Sequence, residues 1–141
     1  MSSEMQPAIY RFKLGGFEIT SILDGKAYRK GLYPSFGPER AAIEAQELCA
    51  ANFIDASRYI HPFILTLVKT GRELVLFDTG NGFLCRDYPQ LRGTLDDGHL
   101  VERLGQMGYK PEDIDVVVTT HGHPDHIGGL TDRGKPVFPK A

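Results

Sequence analysis

Two cysteines, Cys49 and Cys85, are all that this chain of 141 residues contains, and they form no Cys-x-x-Cys pair. A disulfide framework and a cysteine zinc knuckle are thereby excluded. Cys49 is expected to pack in a core and Cys85 to be an ordinary loop or strand thiol. An excess of one charge is also missing. Sixteen Lys and Arg against 18 Asp and Glu leave a formal net charge of −2, which offers no broad field for nucleic acid or an anionic membrane surface. The nearest approach to a basic patch, Lys26, Arg29 and Lys30, reads as a solvated loop. No apolar run approaches the ~18 residues of a membrane span, and residues 1–12 hold no apolar core of signal-peptide length. The expectation is a cytoplasmic protein with neither membrane nor nucleic acid as partner. What is present suffices for one compact domain over residues 1–141: 41% of the residues are apolar, with eight Phe and six Tyr.

Two β-prone runs, residues 9–14 and 17–23, flank Gly15-Gly16, a dipeptide that supplies the positive φ of a two-residue hairpin turn. Residues 24–37 then turn to Gly, Pro, Tyr and charge and read as an irregular loop. Pro38 fits a first helical position, and Ala41, Ala45, Leu48 and Cys49 recur at helical spacing, predicting a helix to about Asn52. Residues 59–69 and 73–77 read as antiparallel strands around Thr70-Gly71-Arg72. The second ends in Asp78-Thr79-Gly80-Asn81-Gly82, where glycine forces a sharp exit. Asp97 is placed to cap a helix carrying Leu100, Leu104 and Met107, which Gly108 and Pro111 stop. Residues 114–119 form a β-branched run with consecutive valines, as a strand buried on both faces requires. Helices interleaved with strands predict a layered α/β unit.

Directly after that run comes Thr120-His121-Gly122-His123-Pro124-Asp125-His126-Ile127-Gly128-Gly129. Three of the chain's five histidines and one aspartate fall within residues 121–126. Imidazole and carboxylate are the donors that hold divalent metals of the zinc type, whereas crowding such groups without a partner is costly. In extended backbone His121 and His123 point the same way, and Pro124 turns the chain so that Asp125 and His126 address a second ion beside the first. A strand end is where open α/β sheets present ligands. Isolated histidines such as His61 and His99 carry no such reading.

The run from His121 to His126 matches a His-x-His-x-Asp-His signature, and with Leu76-Phe77-Asp78-Thr79-Gly80 upstream the sequence resembles the metallo-β-lactamase superfamily. A histidine at position 126 is similar to the lactonase, glyoxalase II and methyl-parathion-hydrolase-like branches. The resemblance implies an α/β fold, the N-terminal half of a four-layer αββα sandwich with a mixed sheet and helices on one face. It implies two divalent ions, zinc first and Fe, Mn or Co as substitutes, with His121 and His123 on one and Asp125 and His126 on the other. Asp78 would stand behind these ligands, positioning the loop, or cap the strand end as a turn residue. The implied chemistry is hydrolysis: a hydroxide shared by the two ions attacks a lactone or other ester-type centre in a small molecule, with Asp125 orienting the proton as the catalytic carboxylate.

A catalytic zinc keeps about three protein ligands, and this set supplies two for each ion. No histidine follows His126, and Asp132 lies too close in sequence to resemble the family's distant bridging carboxylate. The expectation is therefore a truncated N-terminal half that self-associates or pairs with the missing C-terminal half. The alternatives are a catalytically incomplete metal-binding or assembly fragment and an RNA-processing nuclease of the same superfamily, against which the acidic balance weighs. Residues 81–89 are candidates for the near wall of a pocket, and so are residues 28–37, which read more readily as exposed linker.

Overall fold

The computed structural model describes residues 7–33, 35 and 37–141. Strands β1 (Ile9–Leu14) and β2 (Phe17–Arg29) form the expected antiparallel hairpin, and Gly15 takes φ 58° at its turn. β2 does not stop at Leu23. Its register against β3 (Tyr59–Lys69) shifts between Leu23 and Gly25, leaving Asp24 without a counterpart, and pairing then resumes as far as Arg29 opposite Tyr59. The Asp-Gly pair that reads as a strand end is a bulge, so Lys26 and Arg29 stand on a strand and not in a loop. Of the segment expected to be irregular, Pro34 and Phe36 lie outside the described residues.

Helix α1 (Ala42–Ala51) begins at Ala42 rather than at Pro38, which sits in a turn. Of the predicted apolar face only Cys49 is buried, and Leu48 is 67% exposed. Strand β4 (Leu74–Phe77) runs antiparallel to β3, and β6 (Val116–Val118) runs parallel to β4. Among the described residues the sheet has six strands in the order β1-β2-β3-β4-β6, with the short β5 (Leu95–Asp96) paired to β2. β6 is thus an edge strand with Val118 exposed, not the doubly buried strand its valines suggest. Its β-branched run serves one parallel pairing and, among the described residues, no second neighbour.

The two faces of the sheet differ. Register sets Ile22 opposite Leu65 and Leu67 opposite Leu76, and on this face α3 (Leu100–Gln106) lays Leu100 and Leu104. Leu104 is fully buried there, as are Ile22, Leu76 and Ile114, with Phe138 closing the cluster. Each such side chain contributes about 1.5–3 kcal/mol by leaving water. The opposite face stays open. Alternation on β1 puts Tyr10, Phe12 and Leu14 on it, Phe12 pairs with Ile19 and Leu14 with Phe17, and Ile64 continues it on β3. Tyr10, Phe12, Leu14, Phe17 and Ile64 are all exposed there, a bare apolar surface of the kind that marks an interface.

Candidate metal centre

Two parallel strands that end side by side build the site. β4 delivers Phe77 and then Asp78, while β6 delivers Val118 and then the histidine loop, and the Asp78 N–H donates to the Val118 carbonyl at 2.9 Å. Asp78 sits at φ 62°, a conformation Asp adopts more readily than most residues. That twist turns its carboxylate into the loop beside it. Oδ1 accepts the Thr120 N–H at 2.7 Å, and Oδ2 accepts the Thr120 hydroxyl at 2.8 Å and contacts His126 Nδ1 at 2.8 Å. Burial pushes the Asp78 carboxyl up, but the Thr120 N–H, His126 and the Thr120 hydroxyl outweigh it and hold the pKa below its ordinary value. The carboxylate is charged in this setting, so Asp78 is a partner of the histidine loop and not merely a turn residue.

Pro124 opens a single helical turn, α4 (Pro124–Ile127), as its fixed φ favours. His123 before it is extended, at φ −74° and ψ 153°. His121 Nε2 lies 3.0 Å from His123 Nδ1, and the His121 ring stands 3.8 Å from that of His126 between centroids. Asp125 Oδ2 is 3.4 Å from His126 Nε2. Facing imidazole nitrogens at 3.0 Å need a proton or a cation between them, because two lone pairs there repel. The sequence-predicted set of His121, His123, Asp125, His126 and Asp78 is therefore gathered in one place, with His121 and His123 exposed. Among the described residues no three His, Cys, Asp or Glu side chains are grouped as the ligands of one ion. Imidazole and carboxylate are donor types that fit a divalent metal.

Neighbouring segments hold the loop. Thr79 donates both its N–H, at 2.8 Å, and its hydroxyl, at 3.0 Å, to the His126 carbonyl. The Gly129 N–H returns to the Gly80 carbonyl at 3.2 Å, and a Cβ on Gly129 would collide with the Thr79 carbonyl. Within residues 81–89, Gly82 packs against the Gly128 carbonyl, and α2 (Leu84–Asp87) presents Arg86. Its guanidinium forks onto the Asp132 carboxylate at 2.6 and 3.1 Å and stacks over Phe83. Asp132 is thereby committed to holding the loop's exit, in β7 (Thr131–Asp132) and its hairpin partner β8 (Lys135–Pro136). Cys85 offers no nucleophile: burial, reinforced by Asp97, pushes its thiol up to about 11. His99 is engaged by Asp96 at 2.8 Å ahead of α3, and His61 stacks between Tyr59 and Phe63 on β3. Sequence reading misses Thr79, Thr120 and Arg86, whose types carry no metal signal; only their adjacency to the two motifs marks the threonines.

The short Asp78 contact fixes an expected protonation state. His126 Nδ1 is 2.8 Å from Asp78, whereas Nε2 is 3.4 Å from Asp125, so the neutral tautomer expected for His126 carries its proton on Nδ1 and leaves the Nε2 lone pair free. Nitrogen-15 NMR of the metal-free protein at neutral pH should show that tautomer and lose its dominance in Asp78→Ala. An Nε2–H tautomer in the unaltered protein would contradict the assignment.

Residues 65–132 match the family model described as Metallo-beta-lactamase superfamily. The mouse (Mus musculus) "Metallo-beta-lactamase domain-containing protein 1" is 42% identical over 75 residues, which are 53% of this chain and 22% of that protein. Among solved structures, "AidC, a Dizinc Quorum-Quenching Lactonase" superposes with a TM-score of 0.79 at 31% identity, covering 94% of this chain and 42% of its own. "Hydrolase AbOPH in beta lactamase superfamily" gives 0.75 at 25%, covering 97% and 44%. The chain spans less than half the length of these relatives. Its paired motifs, the matched segment and the shared mixed α/β fold agree: over residues 65–132 the chain carries a segment of the metallo-β-lactamase superfamily.

Proposed function

We propose that this chain carries one wall of a dinuclear metal site in a hydrolase that opens a lactone or cleaves a related ester-type bond. The observation that carries this reading is the convergence of three imidazoles and two carboxylates at the ends of two parallel strands. The superfamily and its solved neighbours are hydrolases, one of them titled a dizinc lactonase, and that title supports the choice of metal and bond. His121 and His123 would hold one ion, and Asp125 and His126 the other. Bound there, divalent ions would acidify water and polarise the oxygen under attack. The chain's own residues do the rest. Asp78 orients His126 through Nδ1, Thr120 locks the Asp78 carboxylate, and Asp125, acceptor-only when ionised, directs the proton of the attacking water. If the reading holds, the assembled protein with about two metal ions per chain hydrolyses a lactone or aryl ester, and His123→Ala drops that rate to background. Full activity in His123→Ala would refute it.

Two donors per ion leave each metal short of its usual protein set of about three. We propose that the remaining donors come from polypeptide docked on the bare sheet face, either further chain or a second copy. The exposed Tyr10, Phe12, Leu14, Phe17 and Ile64 support this, since such a surface is costly to leave in water. On sedimentation the isolated 141-residue chain should associate at micromolar concentration, and Phe12→Asp should shift it toward monomer. A clean monomer that binds no apolar dye would contradict this reading.

A further inference from the structure

A carboxylate that the metal reading leaves without a task is the most buried among the described residues. Asp24 is 0% exposed, and it sits at the β2 bulge, where its lack of a strand counterpart frees the side chain to turn under the end of the sheet. Its partners are backbone N–H groups. Oδ1 accepts the Leu100 N–H at 2.9 Å and Oδ2 accepts the Asn81 N–H at 3.3 Å, while the Gly98 backbone N–H also favours the charged carboxylate. Its own carbonyl accepts the His99 N–H at 3.2 Å. Helix α3 has no cap from the side chain preceding it, so Asp24 caps it from another strand. Burial pushes the Asp24 carboxyl up, the N–H groups only partly offsetting it, and the charged neighbour that bears on it, Asp97, is of like sign. A group held at such cost ties segments that would otherwise part.

The tied segments lead to the histidine loop. Asn81 and Gly80 follow Thr79, which grips the His126 carbonyl twice, and the Gly80 carbonyl accepts the Gly129 N–H on the far side of α4. Gly80 approaches so closely that a Cβ there would collide with Asp24 Oδ2. We propose that Asp24 is a positioning residue for the histidine loop: it fastens loop 78–82 to the start of α3, and that loop in turn fixes the backbone on both sides of His126. An acceptor-only group is required, because Asn would turn an NH₂ toward N–H donors.

The consequence for metal binding rests on the reading of residues 121–126 as ligands, whereas the consequence for backbone order does not. The test is amide hydrogen exchange on the metal-free chain, followed by cobalt(II) titration. In Asp24→Asn, exchange at Thr79, Asn81, Leu100 and Gly129 should accelerate at least tenfold more than in the β1–β2 hairpin. Cobalt(II) should bind about tenfold more weakly with an altered visible spectrum. A uniform acceleration across the chain, or none at these four amides, would overturn the proposal. If wild type takes up no cobalt(II), the metal reading fails, and the exchange pattern alone judges Asp24. If Asp24→Asn does not fold, native-state exchange of wild type in mild denaturant decides: these four amides open together below the global transition, or, opening independently, they refute the coupling.

Discussion

The Asp78 carboxylate is the contact on which the site depends. It lies at the end of β4, yet it receives the N–H and hydroxyl of Thr120 and the Nδ1 side of His126, groups 42 and 48 residues further along the chain. Parallel pairing of β4 with β6 makes this possible by bringing two strand ends to one level. The positive φ of Asp78 breaks the strand's alternation at this point, and its carboxylate meets the loop beside it instead of continuing the pleat of β4. Once Thr120 and His126 are held, the orientation of the loop between them is largely decided. One carboxylate thereby links the sheet to the donor cluster.

A second level of support surrounds the first. Thr79 fixes the His126 carbonyl, Arg86 clamps the loop's exit through Asp132, and Asp24 braces loop 78–82 from beneath. These three contacts are polar, between segments distant in sequence, and directed at backbone or at paired charge. The apolar core lies elsewhere, between the sheet and α3, where Leu104 meets Ile22, Leu65 and Leu76. The division has a physical sense. Dispersion and burial are non-directional and suit a core, while donor placement within a fraction of an ångström calls for hydrogen bonds of fixed direction.

How much of this is legible in the sequence follows the length scale of each interaction. The donor cluster is legible because its members are near neighbours, and the Asp-Thr-Gly at 78–80 because it interrupts an apolar run. The hairpin at Gly15-Gly16 and helix α3 follow from local turn and spacing rules. Asp24 is not legible as a brace: Asp-Gly ordinarily ends a strand, and only pairing with β3 on both sides shows the bulge. Its bond to the Leu100 N–H spans 76 residues, beyond any local pattern. β6 misleads in the opposite sense, since consecutive valines suit an edge strand with one partner as well as a buried one. The exposed face of α1 shows that periodicity predicts a stripe but not what lies opposite it.

The proposed role of the crowded rings of His121, His123 and His126 as donors to a divalent metal is open to X-ray absorption on the protein loaded with zinc and freed of excess ion. Zinc held by these rings should show a first shell of nitrogen and oxygen at about 2.0–2.1 Å with the outer-shell scattering of imidazole, and that outer shell should be lost in a variant lacking all three histidines. An oxygen-only shell of water, or an imidazole signal that survives in that variant, would contradict it.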